Sequence, residues 1–271
     1  MSPPRLLVTG GSGHLGGEVV RRARDAGWDV VGTSFRTPGA VRLDVRDAAA
    51  VEALVVEVAP DCVIHTAYLQ DGPDAWATNV TGSANVAAAA AGRGARLIHL
   101  STDLVFDGRA GPYAEEDAVN PLLDYARSKA AGERAVAERH PQATIVRTSL
   151  IYGGEGLSGH ERRILDVVDG RTDLAFFTDE LRCPTAVGDL ASALLELARD
   201  TVAGPLHVAG PDAVSRYEFA RMVAARHGRD AGALRSRRAD PGRPLRVVLD
   251  SGRARALVAT RLRGVREVLG G

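Results

Sequence analysis

The chain has 271 residues with 34 basic and 34 acidic side chains, so its formal net charge is zero. This balance excludes a strong electrostatic attraction to nucleic acid or to a membrane surface. Hydrophobic residues make up 45% of the chain, and its two cysteines are too few for a disulfide framework. The N-terminal segment has no long apolar run, so we expect a globular cytoplasmic protein without a membrane span.

Strand-like and helix-like segments alternate over the first two thirds of the chain. Short apolar runs predict strands at residues 5–9, 29–34, 62–66, 96–101 and 144–148. Helices are predicted at residues 15–26, 48–58, 75–91 and 122–139. This alternation is typical of βαβ units, and strands that are apolar throughout fit a parallel sheet covered by helices on both faces.

The alternation becomes less regular after Gly153. Helices are predicted at 159–168 and 187–199, a strand at 205–208, and a further helix at 215–227 with Ser215 as its N-cap. Residues 235–246 are rich in Arg, Pro and Gly and are predicted to form a loop.

A glycine-rich segment, VTGGSGHLGG, joins the first predicted strand to the first predicted helix. Its glycines fit either Gly11-x-Gly13-x-x-Gly16 or Gly10-x-x-Gly13-x-x-Gly16. Glycines let backbone N–H groups approach a pyrophosphate, and a helix N-terminus favours its negative charge. The segment therefore predicts a dinucleotide-binding loop, with an ordinary glycine-rich turn as the alternative.

The end of the second predicted strand favours NADPH as the dinucleotide. A site for NAD usually has an acidic residue there, whereas this chain reads GTSFR. Arg36 can pair with a 2′-phosphate and Ser34 can hydrogen-bond to it. NADH is the alternative cofactor, and a solvated loop cation is the alternative for Arg36. Asp44, in the segment LDVRD, is a candidate acceptor for an adenine amino group.

Lys129 is the single lysine of the chain, beside 33 arginines. It follows Tyr125 by four residues on a predicted helix, so both side chains project from the same face. An ammonium favours the phenolate form of a nearby tyrosine, whose ordinary pKa is about 10. A guanidinium is broader and planar and replaces an ammonium poorly. A genomic bias toward arginine is the alternative explanation for the missing lysines.

A hydroxyl group at the end of the preceding strand would complete the site. The segment LIHLSTDLVFDG provides Ser101 and Thr102 there, and we prefer Thr102 as the donor to a substrate carbonyl. Thr102, Tyr125 and Lys129 together predict hydride transfer from a nicotinamide to a carbonyl, with Tyr125 donating the proton.

No cluster of His, Cys, Asp and Glu residues has the spacing of a zinc site, so no metal is predicted. His65 and His99 lie in predicted apolar strands. We expect both to be core residues whose polar atoms have hydrogen-bond partners.

Several motifs, in this order, resemble the extended short-chain dehydrogenase/reductases, and within them the dTDP-4-dehydrorhamnose reductase family. VTGGSGHLG resembles the cofactor loop, LSTDLVFDG the family's STDYVFDG, and YARSKAAGE its Tyr-x-x-x-Lys helix. VRTSLIYG, DELRCPTAVGDLA and GRPLRVVLD resemble further family segments, so the likeness covers nearly the whole chain. Leu104, Leu150 and Arg216 stand where the family has aromatic residues, which makes a different sugar, or a substrate without a nucleotide, an open alternative.

The resemblance implies NADPH-dependent reduction of a 4-keto group on a nucleotide-linked deoxysugar. It assigns the catalytic positions to Thr102, Tyr125 and Lys129, and it gives Thr102 and Asp103 contacts to the substrate. Leu150, at the position of the family's tryptophan, is a further candidate substrate contact. Together with Ser12, Ser34 and Arg36, the predicted cofactor contacts are Gly10, Gly13, His14, Leu15, Asp44, Val45, Thr66, Ala67, Tyr68, Tyr125 and Lys129.

The resemblance also implies an α/β fold, with a Rossmann-type doubly wound parallel sheet and a smaller C-terminal substrate-binding lobe. The NADP-binding domain is predicted at residues 1–152, completed by about 186–210, and the lobe at 153–185 and 211–271. The predicted partner is a small-molecule substrate, a nucleotide sugar in the leading interpretation, and no binding to nucleic acid or to a membrane is expected. A homodimer is one option for the oligomeric state.

Two other functions fit the sequence. One is a ketoreductase or epimerase of the same fold that acts on another substrate; a dehydratase is disfavoured because Leu104 stands where such enzymes usually have Glu. The other is a non-catalytic NADP-binding subunit, because the regulatory subunit of methionine adenosyltransferase shares similar motifs. Tyr125 and Lys129 by themselves do not exclude this second function.

Overall fold

The computed structural model describes residues 3–270 as alternating strands and helices. The strands are β1 (Arg5–Thr9), β2 (Asp29–Ser34), β3 (Val41–Arg42), β4 (Cys62–His65), β5 (Arg96–Thr102), β6 (Thr144–Thr148), β7 (Ile151–Tyr152), β8 (Ala175–Phe177), β9 (Leu181–Arg182), β10 (Thr185–Ala186), β11 (Gly204–His207), β12 (Val214–Ser215) and β13 (Arg235–Arg237). The helices are α1 (His14–Asp25), α2 (Ala48–Val58), α3 (Ser83–Gly92), α4 (Asp124–Arg139), α5 (Gly159–Val168), α6 (Val187–Leu197), α7 (Arg216–Arg226), α8 (Gly252–Leu257) and α9 (Val265–Leu269). A π-helical turn, Ala77–Gly82, leads directly into α3.

The chain divides into two compact units. The first runs through Thr102 and also includes Asp124–Arg147 and Ala191–Leu206. The second consists of Asp103–Leu123, Thr148–Leu190 and the chain from His207 onward. The domain boundaries given by the sequence stay a prediction.

The main sheet has seven strands in the order β11-β6-β5-β4-β1-β2-β3. β1 pairs in parallel with both β2 and β4, and β4 pairs in parallel with β5. The central strand is apolar along its length, and Leu6, Leu7 and Val8 are almost completely buried. This arrangement requires apolar side chains on both faces of the sheet. The predicted doubly wound parallel sheet is confirmed.

The core of the first unit forms between this sheet and its helices. Val51 and Val55 of α2 lie four residues apart on one face, and Val86 and Ala90 of α3 do the same. These side chains pack in one buried cluster with Leu97 of β5. The spacing of the apolar residues therefore explains which face of each helix meets the sheet.

The second unit has its own core, formed by short strands and helices. Tyr152 of β7 and Phe219 of α7 meet edge to face with ring centroids 5.7 Å apart. Ile164 of α5 and Val265 of α9 complete the same buried cluster. Its strands form three two-stranded pairs, β7 with β10, β9 with β12, and β8 with β13.

Most predicted elements are found close to their predicted bounds, and Ser215 caps α7 by accepting from the backbone N–H of Glu218. Two predictions need correction. The helix predicted at 75–91 begins as a π-helical turn, and the predicted loop at 235–246 contains the strand β13. Two- and three-residue strands are too short to show a hydrophobic period, so their pairing was not predictable. In the described part of the chain, no helix is long and apolar enough to cross a membrane.

We expect Gly132→Ala to destabilise the first unit. A Cβ atom at Gly132, in the buried face of α4, would lie 2.5 Å from the backbone oxygen of Asn79. A backbone atom cannot rotate away, so the overlap is expected to reduce the free energy of unfolding by about 1–3 kcal/mol. The measurement is urea denaturation.

The matched control is Gly92→Ala at the end of α3, where a Cβ atom would meet nothing within 4 Å. We expect this variant to unfold at or above the denaturant concentration of the unmodified protein. Equal midpoints for the two variants would contradict the close approach of α4 to the π-helical turn.

Candidate active site and cofactor cleft

A cleft of about 270 Å³ lies where β1, β2 and β4 end in the first unit. β1 has β2 on one side and β4 on the other, so the strand order reverses at this point. Ligands of open α/β sheets bind at the carboxyl ends of the strands beside such a reversal. The cleft is lined by Gly10, Ser12, Gly13, Thr33, Ser34, Phe35, Arg36, Thr37, Leu43, Asp44, Val45, Arg46, Thr66, Ala67, Tyr68, Leu69, Asp74 and Thr78.

Ten of the predicted cofactor contacts line this cleft, namely Gly10, Ser12, Gly13, Ser34, Arg36, Asp44, Val45, Thr66, Ala67 and Tyr68. His14 and Leu15 do not line it, because they form the first turn of α1, where Leu15 is only 8% exposed. Their contacts to cofactor, and the roles of the ten lining residues, stay predictions.

The glycine loop forms a tight cradle at one end of the cleft. Gly10 has a φ of 72°, and a Cβ atom there would lie 2.9 Å from the backbone nitrogen of Ala67. A Cβ atom at Gly16 would lie 2.2 Å from the backbone oxygen of Gly10. Gly13 is the N-cap of α1, without a side-chain cap and without an acidic residue in the first turn. The N–H groups of that turn are therefore suited to a pyrophosphate.

Beside the glycine loop, the cleft combines hydroxyl groups with an exposed arginine. The Oγ of Ser34 accepts from the hydroxyl of Ser12 at 2.8 Å and from the backbone N–H of Thr37 at 3.0 Å. Arg36 is exposed beside them, and within residues 3–270 its guanidinium has no ion-pair partner. An unpaired guanidinium next to hydroxyl groups suits a phosphate. The predicted 2′-phosphate contacts of Ser34 and Arg36 are compatible with this geometry.

Arg46 connects two acidic residues that line the cleft. It donates to both carboxylate oxygens of Asp44, at 2.9 and 2.7 Å, and its other terminal nitrogen lies 2.7 Å from Asp74. The hydrogen bond from Arg46 lowers the pKa of Asp44 below its ordinary value. Asp44 is therefore fixed as a carboxylate, and its contact to adenine stays a prediction. Sequence reasoning missed Arg46, although an arginine two residues after Asp44 is close enough along the chain to pair with that carboxylate.

Helix α4 carries Tyr125 and Lys129, the predicted catalytic pair. The ring of Tyr125 is 5.9 Å from the ring of Tyr68, a residue that lines the cleft. Lys129 is 3% exposed and donates from Nζ to the backbone oxygen of Leu100 at 2.6 Å. An ammonium has three donors, and the other two have no acceptor within residues 3–270. Two unused donors on a buried ammonium fit the hydroxyl groups of a cofactor ribose.

The charge of Lys129 is set by its surroundings. Burial lowers the pKa of the ammonium from its ordinary 10.5 to about 8, and the carboxylate of Glu133 acts in the opposite direction.

Thr102 ends β5 and is 7% exposed. The three predicted catalytic residues thus lie in the first unit, and their roles stay predictions.

The two core histidines differ in their hydrogen bonding. His65 is bonded at both ring nitrogens, by the hydroxyls of Thr9 at 2.6 Å and Ser83 at 3.1 Å. His99 is also buried, but within residues 3–270 neither of its ring nitrogens has a hydrogen-bond partner. The prediction that both histidines are satisfied is wrong for His99, whose ring instead lies against His65 with centroids 5.3 Å apart. An apolar strand pattern predicts burial but not the partner of a polar atom.

Sequence reasoning also missed Asn79, which connects the cleft to helix α4. Its side-chain amide donates to the backbone oxygen of Leu69 at 2.8 Å and to the hydroxyl of Ser128 at 2.9 Å. Ser128 in turn donates to the backbone oxygen of Tyr125 at 2.7 Å. Asn79 lies in the π-helical turn, and such turns often occur at functional sites.

The second unit contains the two other predicted substrate contacts. Asp103 is 4% exposed and accepts a hydrogen bond of 2.6 Å from Ser149, and Arg182 lies 3.9 Å from it. Leu150 packs against the buried core of this unit. Burial, followed by the positive charge of Arg182, lowers the pKa of Arg216 to about 10. The carboxylates of Glu180 and Asp103 act on this pKa in the opposite direction.

The described residues contain no group of three or more His, Cys, Asp and Glu side chains that is arranged to hold a metal ion.

The chain is similar to known proteins over almost its whole length. The family described as RmlD substrate binding domain matches residues 4–270. The dTDP-4-dehydrorhamnose reductase of Mycobacterium tuberculosis is 38% identical over 255 residues, which cover 85% of this chain and 78% of that protein. Methionine adenosyltransferase 2 subunit beta of Xenopus tropicalis is 35% identical over 237 residues, covering 81% and 71%. The crystal structure of dTDP-4-dehydrorhamnose reductase from Bacillus anthracis in complex with NADP gives a TM-score of 0.85 at 26% identity, covering 99% and 97%.

The parallel sheet, the glycine cradle and the Tyr-x-x-x-Lys helix define the fold and site of an extended short-chain dehydrogenase/reductase. Within that class, the chain belongs to the RmlD substrate binding domain family, whose match spans residues 4–270. The family resemblance predicted from the sequence motifs is confirmed.

We expect Arg36→Ala to weaken the binding of NADPH and to leave the binding of NADH unchanged. The guanidinium is exposed at the cleft, and its loss would remove a charge-assisted contact to the 2′-phosphate. A loss of about 1.4 kcal/mol corresponds to a tenfold higher Kd. The measurement is fluorescence titration with both cofactors.

The matched control is Arg93→Ala, an exposed arginine that follows α3 and precedes the amino end of β5, and that does not line the cleft. It is expected to leave both Kd values unchanged. An equal loss of affinity for NADPH and NADH in Arg36→Ala would refute the assignment to the 2′-phosphate.

Proposed function

We propose that the chain is an NADPH-dependent reductase that acts on a 4-keto group of a nucleotide-linked deoxysugar. Its relatives that carry the name dTDP-4-dehydrorhamnose reductase support this proposal. The observation that carries the proposal is the buried ammonium of Lys129, one helical turn after Tyr125 and with two unused donors. A buried charge without full compensation indicates a bound group that completes its hydrogen bonds.

The residues divide the work of the reaction as follows. The glycine cradle and the N-terminus of α1 hold the pyrophosphate, and NADPH, when bound, supplies the hydride. Tyr125 donates a proton to the substrate oxygen as that oxygen gains negative charge. The ammonium of Lys129 stabilises the phenolate that remains and donates to sugar hydroxyls. The hydroxyl of Thr102 donates to the same carbonyl and orients it.

The charges of the second unit support an anionic, nucleotide-linked substrate. Arg182 is buried, and its guanidinium donates mainly to backbone oxygens, including that of Pro244 at 2.8 Å. Arg216 has no ion-pair partner within residues 3–270, and burial lowers its pKa, with a smaller contribution from Arg182. A phosphate group would give the guanidinium of Arg216 the anionic partner that it lacks.

The proposal includes a reducing compartment such as the cytoplasm. Both cysteines are buried and free, and burial raises the pKa of Cys62 to about 12 and that of Cys183 to about 11. Such thiols are protonated and poorly reactive near neutral pH. The oligomeric state stays a prediction.

A second candidate function is a non-catalytic NADP-binding subunit of another enzyme. The 35% identity to methionine adenosyltransferase 2 subunit beta favours it. The two functions differ in turnover, because a regulatory subunit binds the cofactor without oxidising it.

The experiment that separates them follows NADPH oxidation by absorbance with a panel of 4-keto nucleotide sugars, beginning with the dTDP-linked 4-keto-6-deoxysugar. Turnover supports the reductase. Tight binding of NADPH without turnover on any ketone would refute it and favour the regulatory function.

We expect Tyr125→Phe to reduce kcat by at least about 100-fold, because the variant loses the proton donor and keeps the ring. The Kd for NADPH is expected to change little, which fluorescence titration measures. Tyr217→Phe, in α7 of the second unit, is the matched control and is expected to keep its kcat. Wild-type turnover in Tyr125→Phe would remove Tyr125 from the mechanism.

Lys129→Arg is expected to reduce kcat by about 100-fold, although it keeps the positive charge. The site gives Nζ one backbone acceptor at 2.6 Å in a buried position, which a broad guanidinium cannot occupy in the same way. Steady-state kinetics at pH 7 measure the effect, and thermal unfolding establishes that the variant is folded. A folded variant with near-normal kcat would show that charge alone is sufficient.

A further inference from the structure

Three functional groups lie along one face of α4. Tyr125, Lys129 and Glu133 follow each other at intervals of four residues, which aligns their side chains on a helix. Lys129 and Glu133 are both buried, at 3% and 6% exposure. The third position therefore continues the line of the two predicted catalytic residues into the interior of the first unit.

The carboxylate of Glu133 is held in place by two neighbouring strands. The hydroxyl of Ser101, in β5, donates to one oxygen at 2.5 Å. Arg147, in β6, donates to both oxygens, at 3.1 Å from Nε and 2.8 Å from Nη2. These donors replace the water that the carboxylate loses on burial, so that a negative charge is stable at this position.

The other titratable groups packed around Lys129 do not provide a negative charge. His65 of β4 has its pKa lowered to about 3 by burial and then by Lys129, and the pKa of His99 of β5 is lowered well below its usual range by the same two causes. Both rings are neutral near pH 7. Tyr125 is the group on which the ammonium acts, and Arg147 is positive. Glu133 is thus the anion that opposes the effect of burial on Lys129.

We propose that Glu133 is a positioning residue that keeps the ammonium of Lys129 charged inside the protein, and that Ser101 and Arg147 hold its carboxylate for this purpose. Its effect on catalysis rests on the proposed reductase function. Its effect on the charge of Lys129 does not.

The sign of the pH dependence follows from the pKa of Lys129, which is about 8. Below pH 8 the ammonium form dominates, and it is lost as the pH rises through that value. Removing the carboxylate removes the interaction that raises this pKa, so the titration moves to lower pH. A neutral amine does not stabilise a phenolate. The basic limb of the profile of kcat against pH is therefore expected to move in the same direction.

The single lysine makes a direct test practicable. Protein labelled with 13Cε-lysine, with no lysine in any purification tag, gives one lysine side-chain signal, that of Lys129. We expect its titration midpoint to lie near pH 8 in the unmodified apoprotein. In Glu133→Gln the midpoint is expected to fall by about one pH unit or more, the effect of losing an opposite charge nearby.

The matched control is Glu138→Gln, which makes the same change at an exposed position of the same helix. Its midpoint is expected to stay within about 0.2 pH units of the unmodified protein, because exposed charges are strongly screened. If Glu133→Gln does not fold, the double variant Glu133→Gln, Arg147→Met removes both partners of the buried pair, which proteins tolerate better than the loss of one. A lowered midpoint is expected there as well.

Activity provides the second readout. Glu133→Gln is expected to lose about fivefold in kcat at pH 8 and to regain most of it at pH 6, because lowering the midpoint by one pH unit from about 8 leaves roughly a tenth, and not half, of the lysine charged at pH 8. A merely structural role would lower kcat equally at both pH values. Glu133→Asp, which keeps the charge, is expected to restore part of the activity at pH 8.

A midpoint that is unchanged in folded Glu133→Gln or in the double variant would overturn the proposal. If the midpoint falls while the unmodified protein reduces no ketone, the reductase function fails and the role of Glu133 stands. If turnover is normal and the midpoint does not move, the role of Glu133 fails alone.

Discussion

The burial of one ammonium group is the constraint on which the candidate site depends. Lys129 is 3% exposed, and removing a charge from water is unfavourable unless other groups replace its hydration. The protein offers the backbone oxygen of Leu100 and the carboxylate of Glu133, and it surrounds the group with the neutral rings of His65 and His99. The compensation is incomplete, since two donors remain for other partners. Incomplete compensation explains both a pKa close to neutrality and a capacity to bind hydroxyl groups.

The same constraint requires that α4 be held closely against its surroundings. Gly132 lets α4 approach the π-helical turn so closely that a Cβ atom would meet the backbone oxygen of Asn79. The amide of Asn79 then bonds to Leu69, beside the cleft, and to Ser128, beside Tyr125. One buried amide therefore connects the wall of the cleft to the helix that carries the predicted catalytic pair. A displaced α4 would change the position of the phenol and the charge of the ammonium together.

The sequence predicted the parts of this site whose information is local. The glycine cradle and the Tyr125–Lys129 pair depend on spacings of a few residues, and the central strands depend on continuous apolar runs. The supporting groups could not be predicted, because they come from distant parts of the chain: Arg147 is 14 residues and Ser101 is 32 residues from Glu133, and Asn79 is 49 residues from Ser128. The pairing of His65 with Thr9 and Ser83, and the lack of such partners for His99, likewise depend on the register of the sheet.

The distribution of arginine and lysine follows the geometry of their partners. Where a cation meets a carboxylate in its plane, the chain uses arginine, as in Arg46 with Asp44, Arg147 with Glu133, and Arg263 with Asp189. A planar fork matches two oxygens at once. At position 129 the partner inside the protein is a single backbone oxygen, and the remaining donors must turn toward groups that are not carboxylates. A compact ammonium with rotatable donors meets that requirement, and a fixed fork does not. A general preference for arginine therefore accounts for the 33 other cations, whereas the buried position beside Tyr125 accounts for the single lysine.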